Sequence, residues 1–251
     1  MFSFIRNWWH KRIIRNSQLT EAQWQQAFSQ LPLLARLTET EIKQLRRLAT
    51  VFLYQKSFEA AQGVELTDHM KMLIALQACL PILHLGLEWY NGWVSIIVYP
   101  DAFIPQRTST DANGVVHHHD NVLGGEAWLR GPVILSWQGV ADSLPLDGNN
   151  LVIHEFVHKL DMRNGVANGF PPLHKDMSSA RWAKDFHEAF DDLQHRLNAG
   201  ESTVIDEYAA SDPAEFFAVI SEIFFERPQR VNLAYPDIYQ HLANFFRQNP
   251  L

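Results

Sequence analysis

The chain has 251 residues, 47% of them hydrophobic and 20% charged, with a net charge of −7. That is ordinary globular composition, long enough for one sizeable core or two small ones, and the acidic balance argues against a nucleic-acid-binding surface. The lone cysteine, Cys79, excludes an internal disulfide and points to a reducing compartment, most simply the cytoplasm.

The first sixteen residues mix Phe2, Phe4, Ile5, Trp8 and Trp9 with Arg6, Lys11, Arg12 and Arg15. They lack the apolar run and small-residue cleavage site of a secretory signal, and no stretch of the chain approaches a membrane span. Ile5, Trp9 and Ile13 fall at i, i+4, i+8, the spacing of a short amphipathic helix packed on the domain or lying on a membrane surface. Helices are expected over Glu21–Leu31 and Thr38–Leu53, where Thr38 and Glu41 fit a capping box. Thr67 caps a third helix, stopped by Pro81. Trp93–Tyr99 alternates as a strand ended by Pro100. Asp111–Gly125 is polar and reads as a solvent-facing loop or a regulatory loop near a site. Its His117, His118 and His119 point different ways and make a poor single-metal set. Gly131–Trp137 is a second strand, with Pro132 suited to an edge or a strand start, and an exposed edge beside a cleft can pair with an extended peptide. Helices follow at Ala180–Leu197, from Pro213 through Phe224, and at Asp237–Arg247. The expectation is an α+β fold in one domain over residues 1–251, with a helical part over 1–90 and a small sheet and the motif helices over 91–251.

Leu151–Asp161 carries His154, Glu155 and His158 in the HExxH arrangement. Residues four apart share one helical face, so two imidazoles can meet one metal ion while Glu155 reaches an attacking water. Random placement of the chain's 12 His and 14 Glu yields such a match about 3 times in 100, so context must decide. The flanking residues Val152, Ile153, Phe156, Val157 and Leu160 make the helix apolar, and burying bare histidines and a glutamate in it is costly without a partner. The chemistry is that of a catalytic zinc with an open position.

Two histidines leave the ligand set incomplete. The metzincin pattern would place its third ligand at Asn164 and its glycine at Asp161, which excludes that class. A carboxylate from a later helix is the alternative. Glu215 and Glu222, seven apart on one apolar helix, stand out, although Glu215 also fits position N3 of a helix begun by Asp212 and Pro213.

The motif together with Asp206–Glu222 (Asp-Glu-Tyr-Ala-Ala-Ser-Asp-Pro-Ala-Glu-Phe-Phe-Ala-Val-Ile-Ser-Glu) closely resembles the Mlc titration factor A family. The resemblance implies a cytoplasmic zinc metallopeptidase of the gluzincin type, with one Zn²⁺ per chain and a catalytic domain similar to that of anthrax lethal factor. It implies His154, His158 and Glu215 as zinc ligands, Glu155 as catalytic carboxylate and Tyr208 as the transition-state tyrosine. It further implies aminopeptidase activity on a peptide substrate. The implied partner is the repressor Mlc, whose capture modulates expression of the glucose phosphotransferase system. A phenol shortly before the third ligand can donate to a developing oxyanion, and Asp161 and Glu222 are candidates to accept the free ring N–H of a ligating histidine. The glycine-methionine-glutamate-asparagine signature of the large aminopeptidases is absent, so no residue is identified for a substrate amine. The rival reading is a repressor-sequestering protein with a structural or vestigial metal site, which would require neither Glu155 nor Tyr208.

Overall fold

A computed structural model describes residues 2–102, 107–110, 116–119 and 124–251; of residues 2–5, 7, 107–110 and 116–119 it describes the backbone alone. In chain order the helices are α1 (Phe2–Asn16), α2 (Glu21–Ser29), α3 (Glu39–Gln55), α4 (Asp68–Cys79), α5 (Trp137–Asp142), α6 (Leu151–Asp161), α7 (Ser179–Asn198), α8 (Pro213–Glu226), α9 (Pro228–Ala234) and α10 (Pro236–Phe246). The strands are β1 (Ser57–Ala60), β2 (Ser95–Tyr99), β3 (Arg107–Thr110), β4 (Val116–His119), β5 (Gly125–Ala127) and β6 (Val133–Ser136). The architecture is α+β.

Local chemistry sets the helix starts. Thr38 takes the Glu41 N–H while Glu41 takes the Thr38 N–H, both halves of the expected capping box. Asn150 caps α6 through Ile153 N–H at 2.9 Å, and Asp212 caps α8 through the N–H groups of Ala214 and Glu215. Four strands form one mixed sheet in the order β1-β2-β6-β5, parallel except for β5, which runs antiparallel to β6.

This order corrects three expectations. The Gly131–Trp137 strand is no edge: β6 lies between β2 and β5 with all four residues buried, and Trp137 already begins α5. The edges are β1 and β5; the edge beside the motif helix is β5, whose first residue Gly125 ends the stretch read as loop, and Pro132 precedes β6, where its missing N–H does no harm. His117–His119 lie not in a loop but in β4, paired antiparallel with β3; their side chains fall outside the described residues. The part over 1–90 is not wholly helical, because β1 pairs with β2 from there. Its Ser-Phe-Glu-Ala pattern is mostly exposed, so it shows no apolar alternation in the sequence.

α6 lies against β5 and β6, with α8 beside it and α4 behind. It is buried on nearly every side, from Val152 to Asp161. Phe156 anchors it among Phe52, Tyr90 and Trp93, with ring centroids 5.3–5.7 Å away. A buried phenylalanine is worth roughly 3–5 kcal/mol against truncation, so this packing holds the motif helix rigidly. The aromatic face of α8 packs on α10 through Phe217, Phe224, Phe225, Phe245 and Phe246. In α1 it is Ile13 and Ile14 that meet the core, while Trp8 and Trp9 are exposed beside Arg12. Among the described residues no helix is long and apolar enough to cross a membrane.

Candidate metal centre

The one-turn spacing on α6 places His154 and His158 with Nε2 atoms 3.1 Å apart. α8 crosses beside them and directs Glu215 to the same point: its Oε2 lies 3.0 Å from His154 Nε2 and 3.5 Å from His158 Nε2. Asp212 already caps this end of α8, so the Glu215 carboxylate is turned to the histidines instead of closing a capping box. Two turns along α8, Glu222 Oε1 sits 2.7 Å from His154 Nδ1. Nδ1–H of His154 therefore donates to Glu222, which leaves Nε2 as the nitrogen that a metal ion would take in place of a proton. Glu155 is buried, with Oε2 lacking any hydrogen-bond partner among the described residues. Tyr208 stands half-exposed in a short 3-10 turn before α8, its ring 6.1 Å from that of His154.

The electrostatics follow from burying three carboxylates with two imidazoles. Burial alone would lower the His154 value, but Glu222 and Glu215 hold it well above the usual histidine range. Burial would raise Glu215, yet the two imidazoles beside it hold its carboxyl far below the usual range. Glu155 goes the other way: burial pushes it up to about 7, against the pull of His154 and His158. Burial and the neighbouring carboxylates raise the Tyr208 phenol, which is therefore a proton donor at neutral pH.

Two cavities, of about 510 and 460 Å³, meet at His154, Glu155, Tyr208 and Gly125, so the centre lies at the crossing of an elongated cleft. Strand β5 forms one wall. Ser136 N–H donates to Gly124 O and Trp128 N–H to Pro132 O, so Gly124 and Trp128 face β6. By antiparallel alternation the main-chain groups of Gly125 and Ala127 face the open edge.

The donor set fits a metal ion. His154, His158 and Glu215 form the metal-capable group among the described residues. A tetrahedral ion with bonds of about 2.0–2.1 Å separates its ligands by about 3.3 Å, and the observed separations of 3.0, 3.1 and 3.5 Å bracket that value. Two ring nitrogens and a carboxylate oxygen thus converge on one point, held together by a proton shared with His154 or by a metal ion in its place. The two remaining expectations divide. Glu222 meets a histidine ring; Asp161 does not. Asp161 Oδ2 takes the N–H groups of Asn168 and Gly169 at 2.7 Å, and His158 Nδ1 has no partner among the described residues. Asp161 instead folds the loop after α6 back onto α8, where a Cβ on Gly169 would run into Pro213 O.

The family comparison points the same way. The model of the family described as glucose-regulated metallo-peptidase M90 matches residues 5–247. This chain belongs to that family. Proteins named Mlc titration factor A from Yersinia pestis (strain Pestoides F) and Yersinia pseudotuberculosis (serotype O:1b, strain IP 31758) are each 44% identical to it over 234 residues, covering 92% of this chain and 86% of theirs. As a member of the M90 metallopeptidase family the chain is expected to carry a metal ion, and the three converging donors are where its residues can take one.

Two further residues at the centre belong to no motif. Asn150 caps α6, donates its backbone N–H to Glu222, and gives its side-chain N–H groups to Gln77 and Glu226 at 2.9 Å. A capping Asn before an apolar run is a readable signal, but its bonds to α4 and α8 are not. Gly125 leaves room for Glu155: a Cβ there would lie 2.6 Å from Glu155 Oε1. The Gly124-Gly125 pair was its only trace in the sequence.

Proposed function

We propose that the chain is a zinc-dependent peptidase in which His154, His158 and Glu215 hold the ion and Glu155 is the general base. The observation that carries this is the triangle of donors with the buried, unpartnered Glu155 oxygen beside it, at the crossing of an open cleft. Zinc, when bound, supplies a Lewis acid that makes water acidic enough to ionise near neutral pH and polarises a carbonyl. Glu155 takes a proton from the attacking water and returns it to the leaving amine. The Tyr208 phenol donates to the oxyanion as it develops. Glu222 fixes the His154 ring through Nδ1, and the outward N–H and C=O groups of Gly125 and Ala127 align an extended peptide. A structural zinc takes four protein ligands, whereas three converge here among the described residues, beside open cavities, which favours the catalytic reading.

The finer assignments rest on resemblance. Aminopeptidase action is inferred from it, as is a cytoplasmic site of action. The relatives' name supports binding of an Mlc-type repressor, and through it an effect on the glucose phosphotransferase system. A folded repressor cannot enter the cleft, so we place its contact outside. One buried cluster running from Trp24 to Phe246 supports a single domain.

The test compares wild type, Glu155→Gln and Glu215→Ala for zinc content and hydrolysis of short peptides. Glu155→Gln is expected to keep about one zinc per chain and lose about 10²–10⁴-fold in rate. Glu215→Ala is expected to lose zinc. Near-normal turnover by zinc-loaded Glu155→Gln overturns the reading.

A further inference from the structure

A third cavity, of about 510 Å³, opens where the end of α6, the loop before β2 and the β5–β6 turn converge. Its wall carries Arg130, Lys159 and Arg163, and among the described residues no Asp or Glu lines it. The contrast within the molecule is sharp: among the described residues the cavity flanking the metal centre is lined by Asp142, Asp147 and Asp206 and by no Lys or Arg.

Two of these cations are held in place without a counter-charge. Arg163 Nη1 donates to the Glu88 carbonyl at 2.6 Å, and its guanidinium lies 5.1 Å from the Trp89 ring centroid. Lys159 Nζ donates to the carbonyls of Trp128 and Gly131 at 2.6 and 3.1 Å, 4.8 Å from the Trp93 ring centroid. Exposed Arg130 makes no hydrogen bond or ion pair among the described residues, and none of the three cations has a carboxylate within ion-pair distance there. Backbone carbonyls orient Lys159 and Arg163 without neutralising them, in a chain with more acidic than basic residues. Trp93, also in this wall, has a buried Nε1–H with no acceptor among the described residues. The charged lining among the described residues is therefore wholly cationic, the complement of an oxyanion. A planar carboxylate suits the guanidinium fork in particular.

The cavity adjoins the cleft. Met162 lines both, and the turn bearing Trp128 to Gly131 continues directly from edge strand β5. An extended peptide advances about 3.3 Å per residue, so one paired with β5 arrives here within a few residues of the metal centre.

We propose that this cavity is an oxyanion subsite that receives a carboxylate of a peptide lying in the cleft, either its C-terminus or an Asp or Glu side chain. The peptide as the source of the carboxylate rests on the peptidase reading above; the oxyanion chemistry of the cavity does not.

The experiment has two arms on the full chain, each comparing wild type with Arg130→Gln/Arg163→Gln, both exposed positions. In the first, inorganic phosphate is titrated at constant ionic strength while NMR follows the Trp93 indole N–H and the Gly92 and Gly165 amides. Saturable shifts are expected in wild type and not in the double variant. Their absence from wild type, or their survival in the variant, overturns the site. In the second, kcat/KM is compared for matched peptides, C-terminal acid against amide and Glu against Gln. The acidic member of at least one pair is expected to be favoured about tenfold by wild type and no more than about twofold by the variant, a loss of about 1 kcal/mol of discrimination. Phosphate binding with no discrimination in either pair makes free phosphate the ligand and overturns the peptide assignment. If wild type cleaves no peptide at all, the peptidase reading fails, while the phosphate arm still decides whether the cavity takes an oxyanion.

Discussion

Gly125→Ala tests the space around Glu155 without touching a metal ligand. The new Cβ would lie 2.6 Å from Glu155 Oε1, 2.8 Å from its Cγ and 2.8 Å from Leu151 Cδ1. Carbon cannot approach those atoms so closely, and something has to move. β5 cannot easily retreat, because its ladder to β6 and the flanking bonds from Ser136 N–H and Trp128 N–H hold it. Leu151 is half-buried on the first turn of α6 and yields only in part. Glu155 is the remaining mobile group, and its carboxylate is expected to leave its present position by about an ångström. Overpacking of this kind costs roughly 1–3 kcal/mol of stability. A misplacement of about 1 Å in a catalytic group costs about 10² in rate. Urea unfolding, elemental analysis and steady-state peptide hydrolysis on one preparation give all three quantities. The expected result is a folded protein with undiminished zinc, lower stability and a kcat down about a hundredfold. Wild-type kcat with the predicted loss of stability would show that Glu155 needs no such space, and would refute the argument.

Three further outcomes are expected. Glu222→Ala should weaken zinc affinity about 10–100-fold while leaving the three ligands in place, because His154 loses the carboxylate that fixes its ring; metal competition with a chromophoric chelator measures it, and unchanged affinity counts against that role. Tyr208→Phe should lower kcat about 10²–10³-fold with little change in KM, the signature of an interaction made only in the transition state; an effect on KM alone would make Tyr208 a substrate contact. Stability should rise with pH above about 8 because of Lys56, whose Nζ is buried against the Trp93 ring and donates to Tyr90 O and Trp93 O at 2.7 Å. Burial and then Lys159 push Lys56 down to about 8 from an ordinary value of 10.5, so between those values the unfolded chain holds a proton that the folded protein lacks. Lys159, also pushed down to about 8 by burial, acts in the same direction, and the buried Cys79 thiol, pushed up, opposes both; the share of Lys56 is at most about 1.4 kcal/mol per pH unit, the limit for one proton, so urea midpoints between pH 7.5 and 9.5 should climb more steeply in wild type than in Lys56→Met. Equal slopes in the two proteins rule it out.

What the sequence determined by itself was everything set by neighbours within a turn or two. The i, i+4 histidines needed only a helix, and the apolar residues around them required one. Thr38 with Glu41 and Asp212 with Pro213 marked helix starts, because caps bond three residues away. Local spacing did not choose between Glu215 and Glu222. Both sit on one face of α8, and only the crossing of α8 beside α6 sends the first to the Nε2 atoms and the second, 68 residues from its partner, to Nδ1 of His154. Strand order was equally out of reach. β6 is apolar because it is central, and periodicity does not say which of two strands has the open edge. Asp161 lies three residues after His158 on the same helical face, which made it a fair candidate for the ring N–H. The chain turned back, and the amides of Asn168 and Gly169 took its carboxylate instead. Asn150, Gly125 and the unneutralised Arg130, Lys159 and Arg163 tell the same story: their roles are relations between segments far apart in the chain, and packing alone brings those segments together.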